Sequence, residues 1–160
     1  RQTLNPVQGA MIASAVVNGG SIPAPFLVDE ASSQNGDKVY EAAVNPNLFR
    51  PMDQETAKSL SMIMENTVTR GTARRDFRDY NHHPILSKLF IGGKTGSFSG
   101  TEPSGKYDWF VGFAQSSADP HKKLAFASMI VNHKYWKVKS YHVAREAILQ
   151  HFKSLNEREL

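Results

Sequence analysis

The sequence contains no cysteine, and that absence removes a disulfide framework, a thiolate metal site and a cysteine nucleophile from consideration. It has no apolar run long enough to span a membrane. At its start, Arg1-Gln2-Thr3-Leu4 shows none of the basic, apolar and small-residue regions of a signal peptide, and there is no initiator Met. The chain therefore reads as a piece of something longer. Internal repeats, low-complexity tracts and a composition shift that would mark a domain boundary are missing as well. What is there is 160 residues, 40% hydrophobic, which is enough for one core of an ordinary domain. Nineteen Lys and Arg against fifteen Asp and Glu leave a formal charge of +4, spread over residues 70–78, 122–123 and 134–139. This is a mild bias toward anionic partners, and a solvated basic face accounts for it more simply than a polyanion patch.

Asn5-Pro6 has the form of a helix N-cap followed by proline at the first helical position. Val7, Ile12, Ala15 and Val16 then make an apolar stripe that stops at Asn18-Gly19-Gly20, so the first element is a helix of about three turns. Two prolines precede Phe26-Leu27-Val28, and Gln34-Asn35-Gly36-Asp37 is a turn signal ahead of Val39-Tyr40-Glu41, which predicts a peripheral hairpin. Asp53 caps a second predicted helix in which Ala57, Leu60, Met64 and Val68 recur at helical spacing and Gly71 ends the run. Residues 74–84 read as polar loop. Strands are predicted over residues 94–99, 107–115 and 124–132, with a closing helix over 140–155. In the middle strand Tyr107, Trp109, Val111 and Phe113 alternate with Phe110, Gly112 and Ala114. Neither set is polar, so both faces of that strand should be covered.

The chemistry concentrates in Gly92-Gly93-Lys94-Thr95-Gly96-Ser97-Phe98-Ser99-Gly100. A phosphate loop needs a glycine five residues before the Gly-Lys pair and a helix after it; Lys88 holds the first position, and Gly96 and Gly100 oppose the helix. Two readings stay open on these residues alone. One is a glycine-rich hairpin with an exposed lysine. The other is the Lys-Thr-Gly strand of serine acyl transferases, which requires strand placement, glycines that let a substrate approach and a second strand soon after.

The context decides in favour of a family. Leu4-Asn5-Pro6-Val7-Gln8 through Ala13-Ser14-Ala15-Val16-Val17-Asn18-Gly19-Gly20, with Pro25-Phe26-Leu27-Val28, resembles a helix and following strand of the transpeptidase domain in class B penicillin-binding proteins. Met64-Glu65-Asn66-Thr67-Val68-Thr69-Arg70-Gly71-Thr72-Ala73 resembles their helix ending in Gly-Thr-Ala. Gly92 to Ser97, followed by Asp108-Trp109-Phe110-Val111-Gly112-Phe113-Ala114, resembles their active-site strand and its neighbour. The motifs occur in order across nearly the whole chain.

The resemblance implies an α+β fold of the β-lactamase and transpeptidase type, with an antiparallel sheet flanked by helices, the first two on one side and the last on the other. Residues 1–160 would be the C-terminal portion of the domain. It implies that Lys94 and Ser97 act in catalysis: Lys94 would bring positive charge to the reacting network, and the N–H of Ser97 would be an oxyanion donor. Thr95, Gly96 and Ser97 would bind substrate, the two hydroxyls gripping a carboxylate and Gly96 keeping the strand clear for an added peptide. The implied partners are a peptidoglycan stem peptide, β-lactams and the upstream half of the domain, with no cofactor, no metal and no nucleic acid. The implied place is the extracytoplasmic face of the bacterial inner membrane, on a parent whose anchor is not in this chain. A non-catalytic module of the same fold in wall assembly is the alternative.

The family's nucleophile, the serine of Ser-x-x-Lys, is absent: no serine here has lysine three residues on. Ser33-Gln34-Asn35 spells the family's Ser-x-Asn box but follows the first helix, where the box should precede it, and reads as turn chemistry. Both motifs are expected upstream of Arg1. His82-His83 before Pro84 lacks partners at metal-ligand spacing. Trp109 and Phe110 could stack on bases, but their alternation among small residues assigns them to the core. Met11, Met52, Met62, Met64 and Met129 are scattered gap-fillers.

Overall fold

The computed structural model describes residues 4–42, 49–133 and 135–157. Of the residues singled out in the sequence, Arg1, Gln2, Thr3 and Lys134 lie outside them. Helix α1 is Pro6–Val17, opened by a full capping box: the Gln8 N–H donates to Asn5 Oδ1 and the Asn5 N–H to Gln8 Oε1, both at 2.9 Å. Gly19 and Gly20 at positive φ turn the chain out of it. Helix α2, Gln54–Thr69, starts at Asp53, whose carboxylate accepts the Thr56 N–H at 2.6 Å. That bond holds the Asp53 carboxyl below its ordinary value. Helix α3 is Ser140–Glu157.

Between α1 and α2 lies a small hairpin, β1 (Glu30–Ser32) with β2 (Lys38–Glu41). The first strand is therefore not Phe26-Leu27-Val28, as the apolar run predicts. Pro23 and Pro25 just ahead of it carry no backbone N–H, and apart from an isolated bridge of Ile22 with Phe49, pairing begins only at Glu30.

Three long antiparallel strands form the main sheet in the order β3 (Leu89–Thr101), β4 (Ser104–Ser116), β5 (Lys123–Asn132). The β3–β4 register runs without a break from Leu89 opposite Ser116 to Thr101 opposite Ser104. Helices cover both faces of β4. On one side Gly9 of α1 packs against Ala127, Val111 and Trp109, and Met64 of α2 meets Gly92. On the other, Tyr141 of α3 sets its ring edge-on to Phe110, with centroids 6.2 Å apart, and Ala144, Ile148 and Phe152 complete the buried cluster. Burying a side chain such as Phe110 removes it from water at a gain of about 2–3 kcal/mol.

Residues 74–84, expected as polar loop, belong to a chain of turns over residues 71–88 that ends in a 3-10 segment at Leu86–Lys88. Their sequence is polar on average, but Ala73, Phe77 and Leu86 are buried in the main core. Arg145 of α3 holds the segment's outer side, donating to Asp79 Oδ2 at 2.7 Å. Three inward residues in eighteen are too few for a periodicity to reveal.

Candidate functional site

β3 pairs only with β4, so its other edge is free among the described residues. The hydroxyl of Tyr80 donates to the Leu89 carbonyl on that edge and also meets the Ile91 backbone. Burial pushes the Tyr80 phenol up from its ordinary pKa. In an extended strand the N–H and C=O of one residue point the same way, and residues two apart repeat the direction. With the register unbroken, the main-chain groups of Gly93, Thr95 and Ser97 therefore also face the free edge. The Lys94 Nζ reaches this edge too, donating to the Thr95 carbonyl at 2.9 Å. No ion pair engages Lys94 among the described residues.

Side chains alternate across the strand, so Thr95 and Ser97 share the face that packs on α3, and Lys94 starts from the opposite one. Lys94 and Ser97 are exposed and Thr95 is half-buried. Thr95 Oγ1 lies 2.9 Å from Thr72 Oγ1. Thr72 is placed there by the end of α2: a Cβ on Gly71 would stand 2.8 Å from Thr67 Cα, so glycine allows the tight reversal, and Ala73 then anchors the chain in the core. Ser97 Oγ sits 3.5 Å from Asp108 Oδ1 on the facing strand. Asp108 is 3% exposed, and its second oxygen accepts from the Ser140 N–H at 2.8 Å and the Ser140 hydroxyl at 3.1 Å. It thereby caps α3 from across the sheet. Burial, followed by the Asp76 and Asp108 carboxylates, pushes the neighbouring Tyr141 phenol up.

The four glycines of the stretch do different jobs. A Cβ on Gly92 would stand 2.6 Å from the Phe113 ring, on Gly93 2.4 Å from the Phe110 ring, and on Gly100 2.2 Å from the Tyr107 ring. Those three make room for aromatics of β4. Gly96 does not: a Cβ there would meet nothing nearer than Trp109 Cβ at 3.8 Å, and the residue is exposed.

The model of the penicillin-binding protein transpeptidase domain matches residues 2–151. The chain belongs to this family. It is 27% identical over 124 residues to stage V sporulation protein D of Bacillus subtilis (strain 168), a match covering 74% of this chain and 18% of that protein. Penicillin-binding protein A of M. tuberculosis, solved as an imipenem acyl-enzyme complex, superposes with a TM-score of 0.68 at 20% identity over 93% of this chain and 31% of that one. Penicillin-binding protein 1A of Haemophilus influenzae gives a TM-score of 0.66 at 14% identity, over 95% of this chain and 26% of that one. These likenesses show the α+β transpeptidase fold, and the chain spans less than a third of each of these relatives.

Within the transpeptidase fold, Lys94, Thr95, Gly96 and Ser97 lie together on one exposed edge. Two residues that the sequence alone did not assign to the site stand beside them. Thr72 belongs to the Gly-Thr-Ala motif, so the motif marked it, but its contact with Thr95 required the turn at Gly71. For Asp108 only position signals a role, a carboxylate at the head of the apolar run Trp109 to Ala114, four residues before Gly112. The other candidates fall outside. Ser33 accepts the Asp37 N–H within its own turn. His83 Nδ1 accepts from the backbone of Ile85 and Leu86. Phe110 and Trp109 are core residues, 0% and 8% exposed. Among the described residues no group of His, Asp and Glu could hold a metal ion, and no helix is long and apolar enough to cross a membrane.

Proposed function

We propose that this chain is the C-terminal portion of the transpeptidase domain of a D,D-transpeptidase, and that its β3 edge grips the substrate while a serine upstream carries the acyl group. The observation that carries the reading is Gly96. Packing inside the fold demands no glycine there, so the open edge between Thr95 and Ser97 answers to something that approaches from outside. An extended peptide adding to the edge fits that demand, with main-chain bonds supplying affinity. The Thr95 and Ser97 hydroxyls are donors suited to a carboxylate, and Lys94 supplies the compensating charge.

In the reaction the upstream serine oxygen attacks a stem-peptide carbonyl, the bond to the leaving residue breaks, and a serine ester forms. An amine of a second stem peptide then attacks the ester, forms the crosslink and releases the serine. Ser97 N–H, facing the free edge, would stabilise the oxyanion in both steps, an interaction worth about a hundredfold or more in rate. A β-lactam would enter as a mimic of the first step, as the imipenem acyl-enzyme of penicillin-binding protein A indicates for that relative. Such a protein works at the extracytoplasmic face of the inner membrane. The alternative, a non-catalytic module of the same fold, is favoured only by the lack of Ser-x-x-Lys in these residues.

Intact mass spectrometry of the full-length protein, before and after incubation with a penicillin, tests the reading. The expected result is a gain of one drug mass, located by peptide mapping on a serine outside residues 1–160. An unmodified protein whose upstream sequence lacks Ser-x-x-Lys would establish the non-catalytic module instead.

A further inference from the structure

Asp108 is a carboxylate almost wholly removed from water, and no Lys, Arg or His among the described residues forms an ion pair with it. Burial of a charge is tolerated only where donors replace water. Ser140 provides two, the backbone N–H and hydroxyl at the start of α3, where the helix dipole also favours negative charge. The third is the Ser97 hydroxyl, 3.5 Å from Oδ1. A carboxylate ligand bound to Ser97 would therefore compete for the proton that Ser97 directs at Asp108. It would also stand about 6 Å from a fixed like charge, the sum of two hydrogen-bond lengths.

We propose that Asp108 is a positioning residue that sets the carboxylate selectivity of this edge. It orients the Ser97 hydroxyl inward and repels an anion from the Ser97 end, so that a ligand carboxylate settles against Thr95 and Lys94. Thr95 then carries more of the carboxylate grip than Ser97, whose part falls to its backbone N–H. The proposal rests on the acyl-transfer reading for its ligand but not for its electrostatics.

Asp108→Asn keeps the shape and an acceptor for Ser140 and removes the charge. In the full-length protein, the second-order acylation rate is measured with a penicillin and with the ester of its carboxylate. The variant is expected to react about tenfold faster with the anion and at an unchanged rate with the ester. Equal changes for both compounds, or no change for either, would overturn the proposal, because a purely structural role moves both together. Asp108→Ser, neutral and smaller, must give the same anion-to-ester ratio, which protects the conclusion if Asp108→Asn folds poorly. If the wild type is not acylated at all, the acyl-transfer reading fails, and calorimetric binding of the same two compounds decides the role of Asp108 by the same ratio. Binding that does not distinguish them, or no binding, counts against it.

Discussion

Thr72 Oγ1 stands 2.9 Å from Thr95 Oγ1, so the residue just past the end of α2 touches the middle of the β3 edge. Twenty-three residues separate the two in sequence, and the turns over residues 71–88 bring them together. If Thr72 donates, Thr95 keeps its own proton for a ligand. Thr72→Val removes that donor and little else, because the side chain is exposed. The expected outcome is a roughly fivefold slower acylation by a penicillin, the value of one ordinary hydrogen bond, with an unchanged melting temperature.

The glycines permit a sharper separation of fold from function. Gly93→Ala drives a methyl group into the Phe110 ring and should cost about 1–3 kcal/mol in urea denaturation. Gly96→Ala meets open space, and its stability should stay within about 0.5 kcal/mol of wild type or rise. Acylation by the Gly96 variant should nonetheless fall by tenfold or more, since the methyl group would project from the Lys94 face of the strand, where the side groups of a ligand laid along the edge would need room. A Gly96 variant with full activity would remove the chief support for an edge-binding ligand.

This contrast also shows how far the sequence could be read. The helix starts were legible because Asn5-Pro6 and Asp53 are local devices that act within four residues. The three long strands were placed, but β3 begins at Leu89, ahead of its predicted start at Lys94, and its pairing with β4 continues through Gly100 and Thr101, where no apolar alternation remains. Lys94 to Ser97 were singled out as candidates by motif. Their shared free edge, the distinct duties of Gly93 and Gly96, and the charge of Asp108 behind Ser97 depend on which residues face each other across β3 and β4. Likewise Phe77 and Leu86 look like stray apolar residues until α3 closes over them.

The Asp53 cap gives a signed pH dependence. Its folded-state pKa is lowered, so its contribution to stability is complete above the ordinary carboxylate value and is lost as pH falls through the lowered value. Asp53→Asn retains a cap acceptor without the titration. Its melting temperature should therefore decline less than that of the wild type over that acid range, and parallel curves would contradict the assignment.

Arg145 holds residues 71–88 against α3 through Asp79, with its own side chain 16% exposed. Arg145→Met keeps the packing of the stem but not the bond. Amide hydrogen exchange should speed up across residues 71–88 and stay unchanged in β4, and acylation should slow along with it because Thr72 is carried on the same segment. Exchange that quickens everywhere alike would mean a global loss of stability instead.

The central claim is that the Lys94 amine, lying along the free edge beside the Thr95 carbonyl, serves acyl transfer. The most direct test is the second-order rate of penicillin acylation of the full-length protein, compared between wild type and Lys94→Ala, with circular dichroism confirming that both are folded. The account predicts a fall of about a hundredfold or more at unchanged stability, because the side chain is exposed and has no ion pair among the described residues. A folded Lys94→Ala protein acylated as fast as wild type would contradict it.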